Sequence, residues 1–202
     1  MSLSGRTTPL HVHLETERVL VRTVTVEDAS LRWCEWTKDP LASLMLNARP
    51  KALEIEQLRA YIAGFDQIDR FIIGLFDRKT GKHFGIIVAE FLEPRKATPS
   101  LLIGEPEYRN LGLMGEVREA LAEFMLANIE LDAVIHTVLP HNKPVIEMLE
   151  RRGRKPVRRI QNAKRRRDGA GFYDLLVFET SREEIVRLLA ERRAKSQTPA
   201  KV

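Results

Sequence analysis

Gly112 and Gly115 lie in the segment Glu107-Tyr-Arg-Asn-Leu-Gly-Leu-Met-Gly-Glu116, between an apolar run ending at Gly104 and an amphipathic stretch. Strand, glycine loop and helix start would follow one another there. A helix start offers unpaired N–H groups and the positive end of the helix dipole, which suits an anion such as phosphate. The glycines carry no Cβ and let a ligand approach the backbone. An ordinary strand-to-helix turn has the same residues, so both alternatives stand at this point. Asn142 opens a second expected helix start, after Pro140-His-Asn-Lys-Pro144. Of the five histidines, none is spaced as a metal ligand on a common helix. Nucleotide-binding glycine signatures and a Gly-x-Ser-x-Gly elbow are missing. No metal site is expected.

The elements that must position these residues follow from periodicity. Thr16 to Val26 alternates as a strand, and Glu27-Asp28 begins a helical segment that Asp39-Pro40 ends. Pro50 to Phe65 has apolar residues at helical spacing. Phe71–Phe76 and Phe84–Leu92 form a hairpin across a turn with Gly81 as its left-handed position. Another strand ends near Gly104, with Pro99 allowed only at its start. Leu113 to Asn128 is helical, with one apolar face. Ala133 to Leu139 is a strand, and the helix after Asn142 closes at Gly153. Strands near Val157 and at Phe172–Glu179 precede a last helix capped by Ser181 and Glu184. This is an α/β (α+β) order around a single sheet. The domain is expected over 15–180, with a helix over 181–195 and loose tails at 1–14 and 196–202.

A chain of 202 residues supports one substantial core. Its single cysteine, Cys34, excludes an internal disulfide and points to a reducing, cytoplasmic setting. No apolar run reaches the roughly 20 residues of a membrane helix, and the N-terminus lacks a signal peptide's apolar centre. Charge is uneven. Residues 1–150 carry 17 Lys and Arg against 22 Asp and Glu, whereas residues 151–202 carry 16 against 6, giving the overall +5. The basic excess is densest over Arg151–Arg167. It could attract a polyanion such as RNA, or be a solvated loop or charge-protected strand edge. The acidic first part would suit a cationic acceptor.

Four segments in order resemble the GNAT acetyltransferases, and within them the Rim-type family named for N-acetylation of ribosomal proteins. Thr16-Glu-Arg-Val-Leu-Val-Arg22 with Glu27-Asp28 is similar to the family's opening strand and turn. Thr80-Gly-Lys-His-Phe-Gly85 resembles its hairpin. Pro106-Glu-Tyr-Arg-Asn-Leu-Gly112 resembles its Arg/Gln-x-x-Gly-x-Gly/Ala loop, with Arg109 and Gly112 on matching positions. Leu139-Pro-His-Asn142, followed by Gly153, resembles the segment that closes over the pantetheine arm.

The resemblance implies a mixed, mostly antiparallel sheet of about six to seven strands flanked by helices, with two parallel strands splayed apart. It implies acetyl-CoA as cosubstrate and a primary amine, on a small molecule or a protein N-terminus, as acceptor. The implied cofactor contacts are Leu102, Ile103 and Gly104, the loop Arg109, Asn110, Leu111, Gly112, Leu113, Met114 and Gly115, and Asn142. The enzyme would supply positioning and oxyanion stabilisation. The sequence departs from the family at four places. Met114 replaces a Gly or Ala, Arg154 a Phe. Leu149 and Val145 stand where relatives carry a Tyr or a Ser able to protonate the leaving thiolate. These departures suit a CoA-binding module with weak turnover as the alternative. Glu90 and His141 can accept protons, and Thr137 occupies a position where some relatives place a glutamate; these three are the catalytic candidates. A monomer and a homodimer both remain open.

Overall fold

The computed structural model describes residues 2–45, 51 and 53–197. The sheet is built from β1 (His13–Glu15), β2 (Val19–Thr23), β3 (Arg70–Asp77), β4 (His83–Glu93), β5 (Lys96–Ile103), β6 (Ala133–Val138), β7 (Arg158–Arg165) and β8 (Phe172–Ser181). The helices are α1 (Leu31–Trp36), α2 (Pro40–Met45), α3 (Ile55–Ala63), α4 (Met114–Asn128), α5 (Lys143–Glu150) and α6 (Arg182–Gln197). All eight strands share one sheet, in the order β1-β2-β3-β4-β5-β6-β8-β7. Every neighbouring pair is antiparallel except β5 with β6.

The expected six to seven strands become eight because the N-terminal arm is not loose. The amides of Leu3 and Ser4 donate to the Asp69 carboxylate at 3.0 and 2.7 Å. Arg6 donates to the Asn128 carbonyl, and the Val12 amide donates to Thr23 Oγ1. Val12 is 2% exposed, and the chain then pairs with β2 as β1. This short strand lacked a periodic signal because its order comes from side-chain contacts to distant loops. At the other end α6 runs on to Gln197, past the expected limit, with the Glu184 amide bonded to Ser181 Oγ at 3.3 Å. Residues 198–202 and 46–49 lie outside the described residues, as do Pro50 and Ala52 of the segment expected to be helical from Pro50.

Pro99 is a second correction. It sits in the interior of β5, opposite Ala89 of β4, and not at the strand's start. β6 pairs with β5 only at Lys96–Ala133 and Ala97–Val134. Pro99 therefore falls two residues beyond the last parallel pair. The N–H that it lacks would have pointed into the gap, so the proline removes no ladder bond.

Two cores sandwich the sheet. On one face Trp33, Trp36, Leu58 and Ile62, from α1 and α3, pack on Ile72 and Ile86. On the other, Val117 and Met125 of α4 and Ile185 of α6 pack on Phe71, Ile73 and Phe84. Glu105, 1% exposed, ties the first face to the loop after β5. It accepts from Arg32 Nε at 2.5 Å, Trp36 Nε1 at 2.8 Å and Lys82 Nζ at 3.1 Å. The Arg32 contact, aided by Trp36 and Lys82, holds its carboxyl down at about 2 against the opposing effect of burial. That stabilisation is complete above the ordinary carboxylate range and is lost as pH falls towards 2. Arg32 and Lys82 are half-exposed and can rehydrate, whereas the Trp36 N–H cannot. Glu105→Ala is therefore expected to lower stability by about 1–3 kcal/mol, read as the shift in urea midpoint at neutral pH.

Candidate active site

The interruption between β5 and β6 makes a slot in the middle of the sheet. Backbone groups alternate sides along a strand. The Leu102 carbonyl lies against Gly85, and the Gly104 N–H donates to the Phe84 carbonyl at 2.9 Å, so both face β4. Leu101 and Ile103 are thus the residues whose backbone faces the slot. Of the expected contacts Leu102, Ile103 and Gly104, only Ile103 does so. Gly104 is a glycine for another reason, since a Cβ there would collide with the Trp36 indole.

The loop after β5 arches over one end of this slot. Asn110 and Gly112 both have left-handed backbone, with φ of 61° and 73°. Left-handed Gly112 is followed by right-handed Leu113, and such a pair turns successive N–H groups towards one point, as in an anion nest. α4 begins directly afterwards, and no side chain caps it. A Cβ on Gly112 would meet nothing within 4 Å, so the space over the nest is open. Met114 does not enter this space; it packs against the core beneath α4. Leu113 is buried as well, while Leu111 is exposed and its carbonyl accepts from Arg18. The Arg109 N–H is bonded to the Pro106 carbonyl. Its guanidinium turns inward, to the Ile103 carbonyl at 3.0–3.1 Å and to Asp39. Arg109 therefore staples the loop, and the open donors begin after it.

Asn142 stands at the N-cap position of α5, yet its side chain makes no capping bond. Its N–H donates to the Leu139 carbonyl at 2.9 Å. The amide side chain is left available beside the slot.

A model of the acetyltransferase (GNAT) domain matches residues 18–155. The chain belongs to the GNAT acetyltransferase family. No curated protein matches its sequence. Among solved structures, a GCN5-related N-acetyltransferase from Brucella melitensis superposes with a TM-score of 0.75 at 13% identity, covering 94% of this chain and 87% of that one. The ribosomal-protein-S5-alanine acetyltransferase from Vibrio fischeri gives 0.70 at 14%, covering 86% and 98%. A RimL ribosomal L7/L12 α-N-protein acetyltransferase in complex with coenzyme A gives 0.71 at 11%, covering 84% and 97%.

Within this GNAT fold the three catalytic candidates do not converge. Thr137 lines a cavity of about 170 Å³ on the α1–α3 face of the slot, with Thr98, Leu92, Ile135 and Arg158. Glu90 stands opposite Thr98 on that face but is held by Arg70 at 3.0 Å. His141 bonds the Leu44 carbonyl at 3.1 Å and leans on the Tyr173 ring. Val145 and Leu149 pack with Val138 and Phe178, so neither position offers an acid.

The opposite face holds a feature that the sequence did not disclose. Arg118 of α4, His136 of β6, and Arg152 and Arg154 after α5 act on one another electrostatically. Arg154, which replaces the family's Phe, is buried and ion-paired with Glu184 of α6. Burial, with Arg152 and Arg192 adding repulsion, lowers Arg118 to about 10, and its Nε is buried without a hydrogen bond. Burial, then Arg118, Arg152 and Arg154, lowers His136 to about 4. His83, enclosed by Trp33, Trp36 and Phe76, is likewise lowered by burial to about 4. The folded state thus prefers both rings neutral. Their contribution is intact above the ordinary histidine value and falls as pH drops from about 6.5 towards 4. A proton NMR titration should find both imidazoles midway near 4, with a urea midpoint that falls across the same window; midpoints near 6.5 would contradict it.

Proposed function

We propose that this GNAT protein is an acetyl-CoA-dependent N-acetyltransferase acting on a primary amine. The observation that carries this reading is the coincidence of the slot, the open nest at Gly112–Leu113 and the uncapped start of α4. A pyrophosphate fits the N–H groups from Leu111 to Met114, where positive dipole and open donors meet, while the Gly115 N–H turns back to the Gly112 carbonyl at 3.1 Å. The Leu101 backbone and the Ile103 N–H suit the amides of a pantetheine arm, the Ile103 carbonyl being held by Arg109, with the Asn142 side chain closing on it. Acetyl-CoA, when bound, supplies an activated acetyl group as a thioester.

The chain's part in the reaction is placement and charge. The acceptor amine would enter through the cavity lined by Thr98 and Thr137, opposite the face carrying α4. Thr137 can hold it by hydrogen bonding and is the one catalytic candidate at this mouth. Glu90 is already paired with Arg70, and His141 packs on the Tyr173 ring. Without a side-chain acid at Val145 or Leu149, the proton for the leaving sulfur would have to come from water or from the acceptor nitrogen, which becomes cationic once the neutral amine has attacked. That favours slow turnover and gives the second reading, a module that holds CoA without turnover, its specific support. The RNA reading of Arg151–Arg167 is weaker. Arg151, Arg154, Arg159 and Arg166 are each paired with an acid, and the segment is split between two faces of the sheet.

Calorimetry should give micromolar binding of acetyl-CoA, and incubation with a panel of amines should release free thiol. Heat of binding without thiol release would select the module; no heat with either acetyl-CoA or CoA would remove both readings. Gly112→Val forces a β-branched residue to a φ of 73° and fills the open space. The strain is about 1–2 kcal/mol, so the variant should stay folded by circular dichroism. Its affinity for acetyl-CoA should fall at least roughly tenfold, about 1.4 kcal/mol.

A further inference from the structure

The mouth opposite α4 is lined on its outer side by β7 and β8. Register fixes which residues face it, because directly opposed residues in a sheet share a face. Arg158 opposes Val177, Ile160 opposes Leu175, and Lys164 opposes Tyr173. Val177 lines the cavity together with Arg158 and Ile160. Residues 173, 175 and 177 alternate onto one face, so Lys164 and Tyr173 belong to it too. Tyr173 also lines a second recess of about 210 Å³ with Leu44, Arg167 and Asp168. Arg166 lies over the Tyr173 ring at 5.0 Å. A file of cations, Arg158, Lys164, Arg166 and Arg167, therefore follows the outer edge of the mouth. From Val177 to Tyr173 it extends for roughly 14 Å at 3.4 Å per residue.

The acids on this face are already engaged. Glu93 and Glu179 bind Lys96, Glu90 binds Arg70, and Asp168 binds Arg166. Arg158 and Lys164 have no ion pair among the described residues. By contrast Arg159, one residue along, points to the other face and is paired with Asp174 at 2.7 Å. Unpaired charge thus falls on the mouth side of the strand.

From this we infer that the acceptor is an acidic polypeptide, whose carboxylates bind along Arg158 and Lys164 while its amino terminus enters the cavity at Thr137. The length of the file fits several residues of extended chain better than a small amine, which would meet Arg158 alone. This replaces the cationic acceptor suggested by the acidic first part of the chain. Those acids are spread over the whole molecule, and the ones facing the mouth are neutralised. The inference rests on the acetyltransferase reading for the place of the amine, but the peptide contact can be read without turnover.

The test is fluorescence anisotropy with two labelled peptides of equal length, bound to protein saturated with CoA. One carries Glu at its second to fourth positions and the other Gln. The acidic peptide should bind roughly tenfold more tightly at low salt, as expected of a few rim charges, and the preference should shrink as salt is raised. The double variant Arg158→Ala/Lys164→Ala should erase the preference without changing CoA affinity. Arg158→Glu/Lys164→Glu should turn it towards a Lys-containing peptide, and the control Arg159→Ala should leave it intact. Equal binding of both peptides, or a preference that survives the double variant, overturns the inference. So does a small acidic amine that displaces the peptide at equal concentration, or an RNA that binds the file more tightly than the acidic peptide. Loss of CoA binding in the wild type would instead sink the acetyltransferase reading, and the peptide comparison without CoA would still decide this one.

Discussion

Backbone amides in the middle of a sheet must find partners, and at the join of β5 and β6 this protein leaves some unpaired. Two residue pairs hold the strands together, and beyond them the ladder stops. On both sides of the gap the sheet is continuous, with β4 completing one edge and β8 the other. An opening bounded by complete ladders cannot collapse without breaking them, so the unpaired groups stay presented. Pro99 fits because it stands where no partner is available. Above the gap, Arg109 bonds the Ile103 carbonyl and Asp39, which fixes the loop whose nest faces the slot. Below it, Glu105 ties Arg32, Trp36 and Lys82 into a support for the same loop. The site is therefore made mainly of main chain, held in place by buried side chains. The solved structures that share this fold do so at 11–14% identity.

The two faces of the slot differ electrically. Behind it, Arg118, His136, Arg152 and Arg154 form a polar region with Glu184 as its acid. In front, the mouth has hydroxyl groups of Thr98 and Thr137 at its floor and cations along its outer strand. On the proposed reading, the two hydroxyls would help to place the amine while the charges at the rim would select the molecule that carries it.

The elements that frame the candidate site were legible in the sequence because main-chain geometry leaves residue signatures. Gly112 announced a loop open to close approach, Asn142 a helix start, and the apolar runs flanking Gly81 a hairpin. The relation to GNAT proteins was legible from the order of those signatures. Other features were hidden for physical reasons. β1 exists because Asp69 and Thr23 bind the arm, partners more than ten residues distant from what they hold. Glu105 looks like any surface glutamate until Arg32 and Trp36 reach it across some seventy residues. Met114 stands where the family keeps a Gly or Ala, and only the structure shows it packed against the core beneath α4. The roles of Arg158 and Arg159 differ by strand alternation, which depends on the register with β8 and on the irregularity between Ile160 and Lys164.

Hydrogen exchange resolved by peptide, with and without acetyl-CoA, addresses the slot directly. Acetyl-CoA should slow exchange of the amides of Leu101, Ile103 and Leu111 to Glu116, and of the turn at Leu139–Asn142. The interior of β2 and β3, already laddered on both sides, should be unchanged. Protection confined to other segments, or none at saturating acetyl-CoA, would contradict the assignment of the gap between β5 and β6 as the cofactor slot.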